Sequence, residues 1–121
     1  MREERLKTTT GLKGSPGLRL SSWRGRSGRR YVVGIHGLGD SDLAERLAEM
    51  EAVVLAVRRD AAGTASLVAA SAETTPREAL ARRFVHRAGE GGATEFHVHR
   101  LAETTAERRA ILADLGCAGE A

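Results

Sequence analysis

Aromatic residues are scarce. Phe, Trp and Tyr make up 3% of the 121 residues, so a core has to be assembled from Val, Leu, Ile and Ala, which bury less area each. Cysteine occurs once, as Cys117, which excludes an intramolecular disulfide and fits a reducing compartment. No run approaches the ~20 apolar residues that span a bilayer. The first twenty residues also lack the continuous apolar stretch of a secretory signal. These absences give the expectation of a soluble, cytoplasmic protein with no membrane partner. Acidic residues are sparse at the start of the chain. Nine Arg or Lys stand against Glu3 and Glu4 in the first thirty positions, whereas the remainder carries ten Arg against fourteen Asp or Glu. The formal net charge of +3 therefore belongs to the N-terminal quarter. A basic arm on a mildly acidic body suits nucleic acid or an acidic surface, and a solvated tail has the same composition.

What is present fits one domain. Residues 1–17 show no sustained periodicity and contain Gly11, Gly14, Pro16 and Gly17, so they read as a disordered basic leader. Residues 18–116 read as a single α+β domain and 117–121 as a flexible C-terminus. Leu18–Arg24 and Arg29–His36 flank the turn Gly25-Arg26-Ser27-Gly28 as a strand hairpin. Ser41–Met50 has a helical stripe of Leu43, Leu47 and Met50, with capping-box spacing between Asp42 and Glu45. The β-branched run Ala52–Val57 is a buried strand, and Thr64–Ala70 returns as its neighbour. Thr75, Pro76 and Glu78 open a helix with Leu80, Phe84 and Ala88 on one face and Gly89 as its stop. Thr94–Leu101 alternates as a strand, and Thr104 with Glu107 caps a final helix that ends before Gly116. The expected fold is a mostly antiparallel sheet of about five strands with helices packed on it, in the order β-β-α-β-β-α-β-α. A single helical layer is the simplest arrangement.

Two glycine-rich motifs are excluded. His36-Gly37-Leu38-Gly39-Asp40-Ser41 after a strand is like an α/β-hydrolase oxyanion loop, but no Gly-x-Ser-x-Gly nucleophile elbow exists and the chain is too short. Gly34, Gly37 and Gly39 lack dinucleotide-loop spacing, and Asp42 would repel a pyrophosphate. No cofactor is expected. His97-Val98-His99 places two imidazoles on one strand face, a pair that can begin a metal site. Third ligands would have to come from His36, His86, Glu95 or Cys117, and none has a diagnostic spacing. The alternative is a solvent-facing strand surface. Arg24, Arg26, Arg29 and Arg30 cluster at the hairpin turn beside Trp23 and Tyr31, where guanidinium groups and aromatic faces suit phosphates and bases.

The second half carries a pattern of its own. Val53–Val57 with Arg58-Arg59, then Leu67-Val68-Ala69, a helix with Arg82 and Arg83, the strand Gly92–His99 and the helix Arg108–Leu115 follow in order. Over residues 53–115 this resembles the core of the GIY-YIG nuclease superfamily, β-β-α-β-α on an antiparallel sheet. The resemblance implies a catalytic arginine near Arg82 and Arg83 and a metal-binding glutamate near Leu112. Aliphatic residues replace both signature tyrosines, Leu112 is apolar, and Asp114 lies one turn-face away. Without the carboxylate and the tyrosines neither Mg²⁺ nor water is activated. The resemblance therefore implies a degenerate, non-cleaving copy. The expected role is a non-catalytic interaction domain touching nucleic acid through the N-terminal arginines. A His97/His99 metal site or enzyme, and a self-associating homo-oligomer, are the alternatives.

Overall fold

The computed structural model describes residues 2–4, 19–37, 43–48, 51–72 and 78–116. Nine elements follow one another among the described residues: β1 (Arg2–Glu4), β2 (Arg19–Arg24), β3 (Arg30–Gly37), α1 (Leu43–Ala48), β4 (Val53–Arg59), β5 (Ala65–Ser71), α2 (Glu78–Glu90), β6 (Glu95–His99) and α3 (Thr105–Asp114). The fold is α+β, and every strand pairing is antiparallel. From β2 onward the element order is the one the sequence pattern gives. β1 falls inside the segment read as a leader and adds a sixth strand at the sheet edge, paired to β2 through Glu3↔Trp23. The rest of the leader, residues 38–42, Met50, the expected cap residues Thr75 and Pro76, and Cys117 lie outside the described residues.

The spatial order is β1-β2-β3-β6-β4-β5. β6, the last strand in sequence, sits between the hairpins β2–β3 and β4–β5. All four aromatic side chains of the protein touch it or each other there. Trp23 meets His97 edge-on at 5.8 Å, Tyr31 meets His99 at 5.7 Å, and Phe84 tilts against Phe96 at 5.9 Å. Scarce aromatics are thus concentrated at the centre, where each buries most area.

Helices cover both faces of the sheet, not one. Every position from Ala52 to Val57 is buried and apolar, so β4 needs cover on each side. Val53, Leu55 and Val57 pack with Trp23, Tyr31 and Val33 under Ile111 and Leu112 of α3 and its C-cap Leu115. Val54 and Ala56 pack with Phe96 and Val98 under Leu43 and Leu47 of α1 and Ala81, Phe84 and Val85 of α2. Each fully buried Leu, Val or Phe contributes about 1.5–3 kcal/mol. The sheet also curls: its edge strands β1 and β5 approach within 8 Å between Cα atoms. The face beneath α3 is therefore concave.

Local signals explain most element ends. Thr104 accepts from the Glu107 N–H at 3.1 Å and caps α3, and Gly116 leaves it with φ +81°. α2 does not stop at Gly89. Helical bonding continues through Gly91 N–H to the Arg87 carbonyl, and the left-handed residue is Gly92, at φ +91°.

Candidate functional site

Two polar regions lie on the concave face, and β6 contributes a histidine to each. Glu95, His97 and His99 alternate onto that face, while Phe96 and Val98 point to the other. Both faces being covered, the two histidines are buried, not on a solvent-facing strand.

The first region is closed. The Arg59 guanidinium at the end of β4 makes five hydrogen bonds: Nε and Nη2 to Glu95, Nη1 and Nη2 to Glu3, and Nη1 to the Gly63 carbonyl. Ser21 Oγ donates to Glu3 Oε2 at 2.9 Å. Trp23 Nε1 donates to His97 Nδ1 at 2.8 Å, and indole N–H can only donate. His97 is therefore the neutral tautomer with its proton on Nε2, which donates to Glu95 Oε2 at 2.6 Å. Burial lowers the His97 pKa below its ordinary value and outweighs the pull of Glu95 and Glu3. Burial alone would raise the two carboxyls, but Arg59 reverses this and holds both below the usual range, with Ser21 helping at Glu3 and His97 at Glu95. Glu3, Glu95 and His97 place potential ligand atoms within 4.8 Å of one another. A metal fits them poorly. The Trp23 proton blocks Nδ1, Nε2 carries its own proton, and the Arg59 cation already fills the space between the carboxylates. The cluster works as a lock that holds β1 to the sheet edge across the curl. Glu3 could not be read as part of it from sequence, because nothing local links a leader residue to Arg59.

The second region is open. The β2–β3 turn carries Arg24, Arg26, Arg29 and Arg30 and is fastened to the end of α3. Asp114 accepts from Ser27 N–H at 2.9 Å, Ser27 Oγ at 2.7 Å and Tyr31 OH at 2.6 Å, while its carbonyl accepts from Arg26 N–H at 2.8 Å. Those donors hold the Asp114 carboxyl below its ordinary pKa, Tyr31 foremost. The approach is close enough that a Cβ on Gly25 would overlap the Asp114 carboxylate. Asp114, set aside as a misplaced metal ligand, is thus the anchor of the arginine turn. Arg24 Nη1 donates to the Gly28 carbonyl at 3.0 Å, and Arg29 lies over the Tyr31 ring at 5.5 Å. Arg26, Arg29 and Arg30 are exposed. Trp23 is not beside them at the surface. It is 1% exposed and its N–H is committed to His97, so it offers no face to a base.

Beside the turn lies a depression of about 460 Å³, lined among others by Arg29, Arg30, His99, Leu101, Glu107 and Asp114. His99 Nδ1 donates to the Val32 carbonyl at 2.7 Å. The structure thus separates His97 and His99, which sequence spacing pairs as metal ligands, into two environments. His36 accepts from Arg46 at 2.9 Å, and His86 lies 3.2 Å from Glu90 on the exposed side of α2. Among the described residues neither joins His97 or His99 in a group of three potential metal ligands.

The positions that the nuclease resemblance marks for catalysis are distributed differently. Leu112 is buried in the core beneath α3, with Leu67 packed against that core. Arg82 is exposed on α2, which covers the opposite face, and pairs with Glu45 at 3.6 Å. No helix among the described residues is long and apolar enough to cross a membrane. Comparison with known proteins finds no matching family model, no matching curated protein and no matching solved structure.

Proposed function

We propose that the chain is a small, non-catalytic interaction domain with a GIY-YIG-like core that binds nucleic acid through the β2–β3 arginines. The observation that carries this reading is the fastening of the arginine turn to α3 through Asp114. A turn held by four bonds to one residue presents its guanidinium groups from a fixed frame, and phosphate contacts then cost less ordering entropy. The order β4-β5-α2-β6-α3 supports the GIY-YIG-like reading of the second half. The apolar burial of Leu112 supports the absence of cleavage.

Binding through these arginines is sequence-independent and salt-sensitive. Each neutralised phosphate adds about 0.9 to the log–log salt slope on duplex DNA. Changing Arg24, Arg26, Arg29 and Arg30 together to Ser should flatten that slope by roughly three to four units, with the fold intact by circular dichroism. Fluorescence anisotropy across a salt series measures it. No binding at low salt would remove nucleic acid from the reading. Nicking of plasmid with Mg²⁺ or Mn²⁺ by contaminant-free protein would remove the non-catalytic part.

A second reading, self-association, is favoured by two exposed apolar side chains. Leu20 and Val32 are 44% and 38% exposed and stand on the same face of the β2–β3 hairpin, away from Trp23 and Tyr31. Sedimentation over a concentration range, with Val32→Arg as the disrupting variant, tests it.

A further inference from the structure

We infer that the socket filled by Glu3 is a docking site for an extended acidic segment of a partner protein, which pairs with the β2 edge and sets a carboxylate on Arg59. This goes beyond the nucleic-acid reading and does not depend on it. The first support is the receptor that remains when β1 is set aside. Glu95 takes the side-on fork of the Arg59 guanidinium, accepting from Nε and Nη2 at 3.0 Å each. The Gly63 carbonyl accepts from Nη1 at 2.8 Å. The guanidinium is thereby fixed by β6 and the β4–β5 turn, with its end-on fork turned toward β1. Glu3 accepts there from Nη1 at 3.0 Å and Nη2 at 2.8 Å, and from Ser21 Oγ at 2.9 Å. Two N–H donors on a rigid plane match the two oxygens of a carboxylate, which makes the socket selective for an acid. A second carboxylate is taken although Glu95 already neutralises Arg59, because the guanidinium has two edges. Both carboxyls are held below their ordinary range.

The second support is the weak hold on the segment now in place. β1 is three residues long and pairs with Ser22–Arg24 of β2. After β1 the described chain resumes only at Arg19, beyond residues 5–18. No residue of β1 belongs to either apolar core cluster, so among the described residues its departure takes no apolar side chain out of the core. Segments with few buried apolar contacts open locally, below the free energy of global unfolding. What β1 leaves is a strand edge beside a carboxylate receptor. Sheet edges recognise extended peptides by this combination, in which backbone pairing gives affinity and a pocket for one side chain gives specificity. The register defines the ligand. Its acid lies opposite Trp23, as Glu3 does, and the residues on either side of that acid point to the other face of the sheet. β1 is thus a tethered stand-in for the partner strand.

The test uses the full chain carrying Glu3→Ala, which empties the socket, with Glu3→Gln as a milder variant. The probes are a labelled peptide of the chain's own residues 1–7 and a copy with Gln at its third position, read by fluorescence anisotropy. The Glu3→Ala chain should bind the first peptide about tenfold tighter than the second, the factor a charge-assisted hydrogen bond commonly contributes. The parent chain should bind more weakly than the Glu3→Ala chain, because its tethered segment competes at an effective concentration in the mM range. Trp23, the only tryptophan, lies opposite the docked acid, so its emission should change on binding. Arg59→Lys in the Glu3→Ala chain keeps the charge, loses the fork and should reduce the preference for Glu over Gln. Equal binding of the two peptides, or none at millimolar peptide, would overturn the inference. So would loss of the parent's far-UV spectrum in both Glu3 variants, because β1 would then belong to the globally cooperative unit. Parent-chain dimers that the peptide dissociates would assign the socket to a second copy and overturn the partner-protein occupant. Duplex DNA binding is unchanged in the Glu3 variants, so the nucleic-acid reading stands or falls separately.

Discussion

His97 and His99 leave the same face of the same strand two residues apart, yet one is sealed in a hydrogen-bonded network and the other lines an open depression. Around His97 every polar atom has a partner: Trp23 on one nitrogen, Glu95 on the other, and Arg59 bridging Glu95 to Glu3. At His99 one hydrogen bond, to the Val32 carbonyl, holds a ring that lines an open depression. The difference comes from what lies across the sheet. β1 closes over the His97 end of the curl, whereas the His99 end is bordered by the arginine turn and the start of α3. A satisfied buried network specifies structure, whereas a side chain lining an open depression is held by fewer bonds.

Removing a partner from the closed region should have the largest effect. Arg59→Met leaves the Glu3 and Glu95 carboxylates buried without their cation, a change that commonly costs about 3–5 kcal/mol. Urea denaturation would show it, with faster amide exchange in β1 and β2. His97→Phe strands the Trp23 N–H, for about 1–3 kcal/mol, and also removes one donor from Glu95. A loss under about 1 kcal/mol would show that water substitutes there and that the region is not closed.

The next effect is on pH dependence. The folded state keeps His97 neutral, with its pKa lowered from 6.5, so the unfolded chain binds the extra proton first. Stability should therefore fall as pH drops below about 6.5 and through the folded value. Glu3 and Glu95, lowered from 4.5, add a second loss below about 4.5. Trp23→Phe lowers stability at neutral pH but frees Nδ1 to take a proton, with Glu3 Oε2 3.8 Å away. Its deficit against the parent chain should narrow from pH 7 to 5. A parallel offset would mean that the indole does not fix the tautomer.

In the open region the same manipulations should matter less to folding. Asp114→Ala releases Ser27 and Tyr31, so exchange of the turn amides from Gly25 to Arg29 should speed up while β4 and β6 stay protected. The smallest effect is expected from His99→Asn, within about 1 kcal/mol of the parent in urea. A loss equal to that of His97→Phe would abolish the contrast between the two sites.

Much of the fold was legible because its signals are local. The alternation in Arg30–Gly37, the β-branched run of β4, the Thr104 cap and the glycines of the β2–β3 turn each fix a conformation within a few residues. The arginine cluster was legible for the same reason: four residues on one turn stay together in any fold that keeps the turn. The leader was read by composition alone, and composition cannot see that residues 2–4 complete a sheet edge built by Ser21, Trp23 and Arg59. The stop of α2 was misplaced by three residues because Gly89 and Gly92 are equally able to leave a helix, and only packing chooses between them.

By itself the sequence determined the α+β order, the antiparallel hairpins and the charge at the N-terminal end. These follow from periodicity and turn chemistry, which act over a few residues. The insertion of β6 between two hairpins, helices on both faces and the curl that joins β1 to Arg59 were decided only in three dimensions. So were the roles of its side chains. Whether Trp23 stacks on a ligand or locks a histidine, and whether His97 and His99 act as a pair or apart, depends on burial and on partners 67 to 74 residues away.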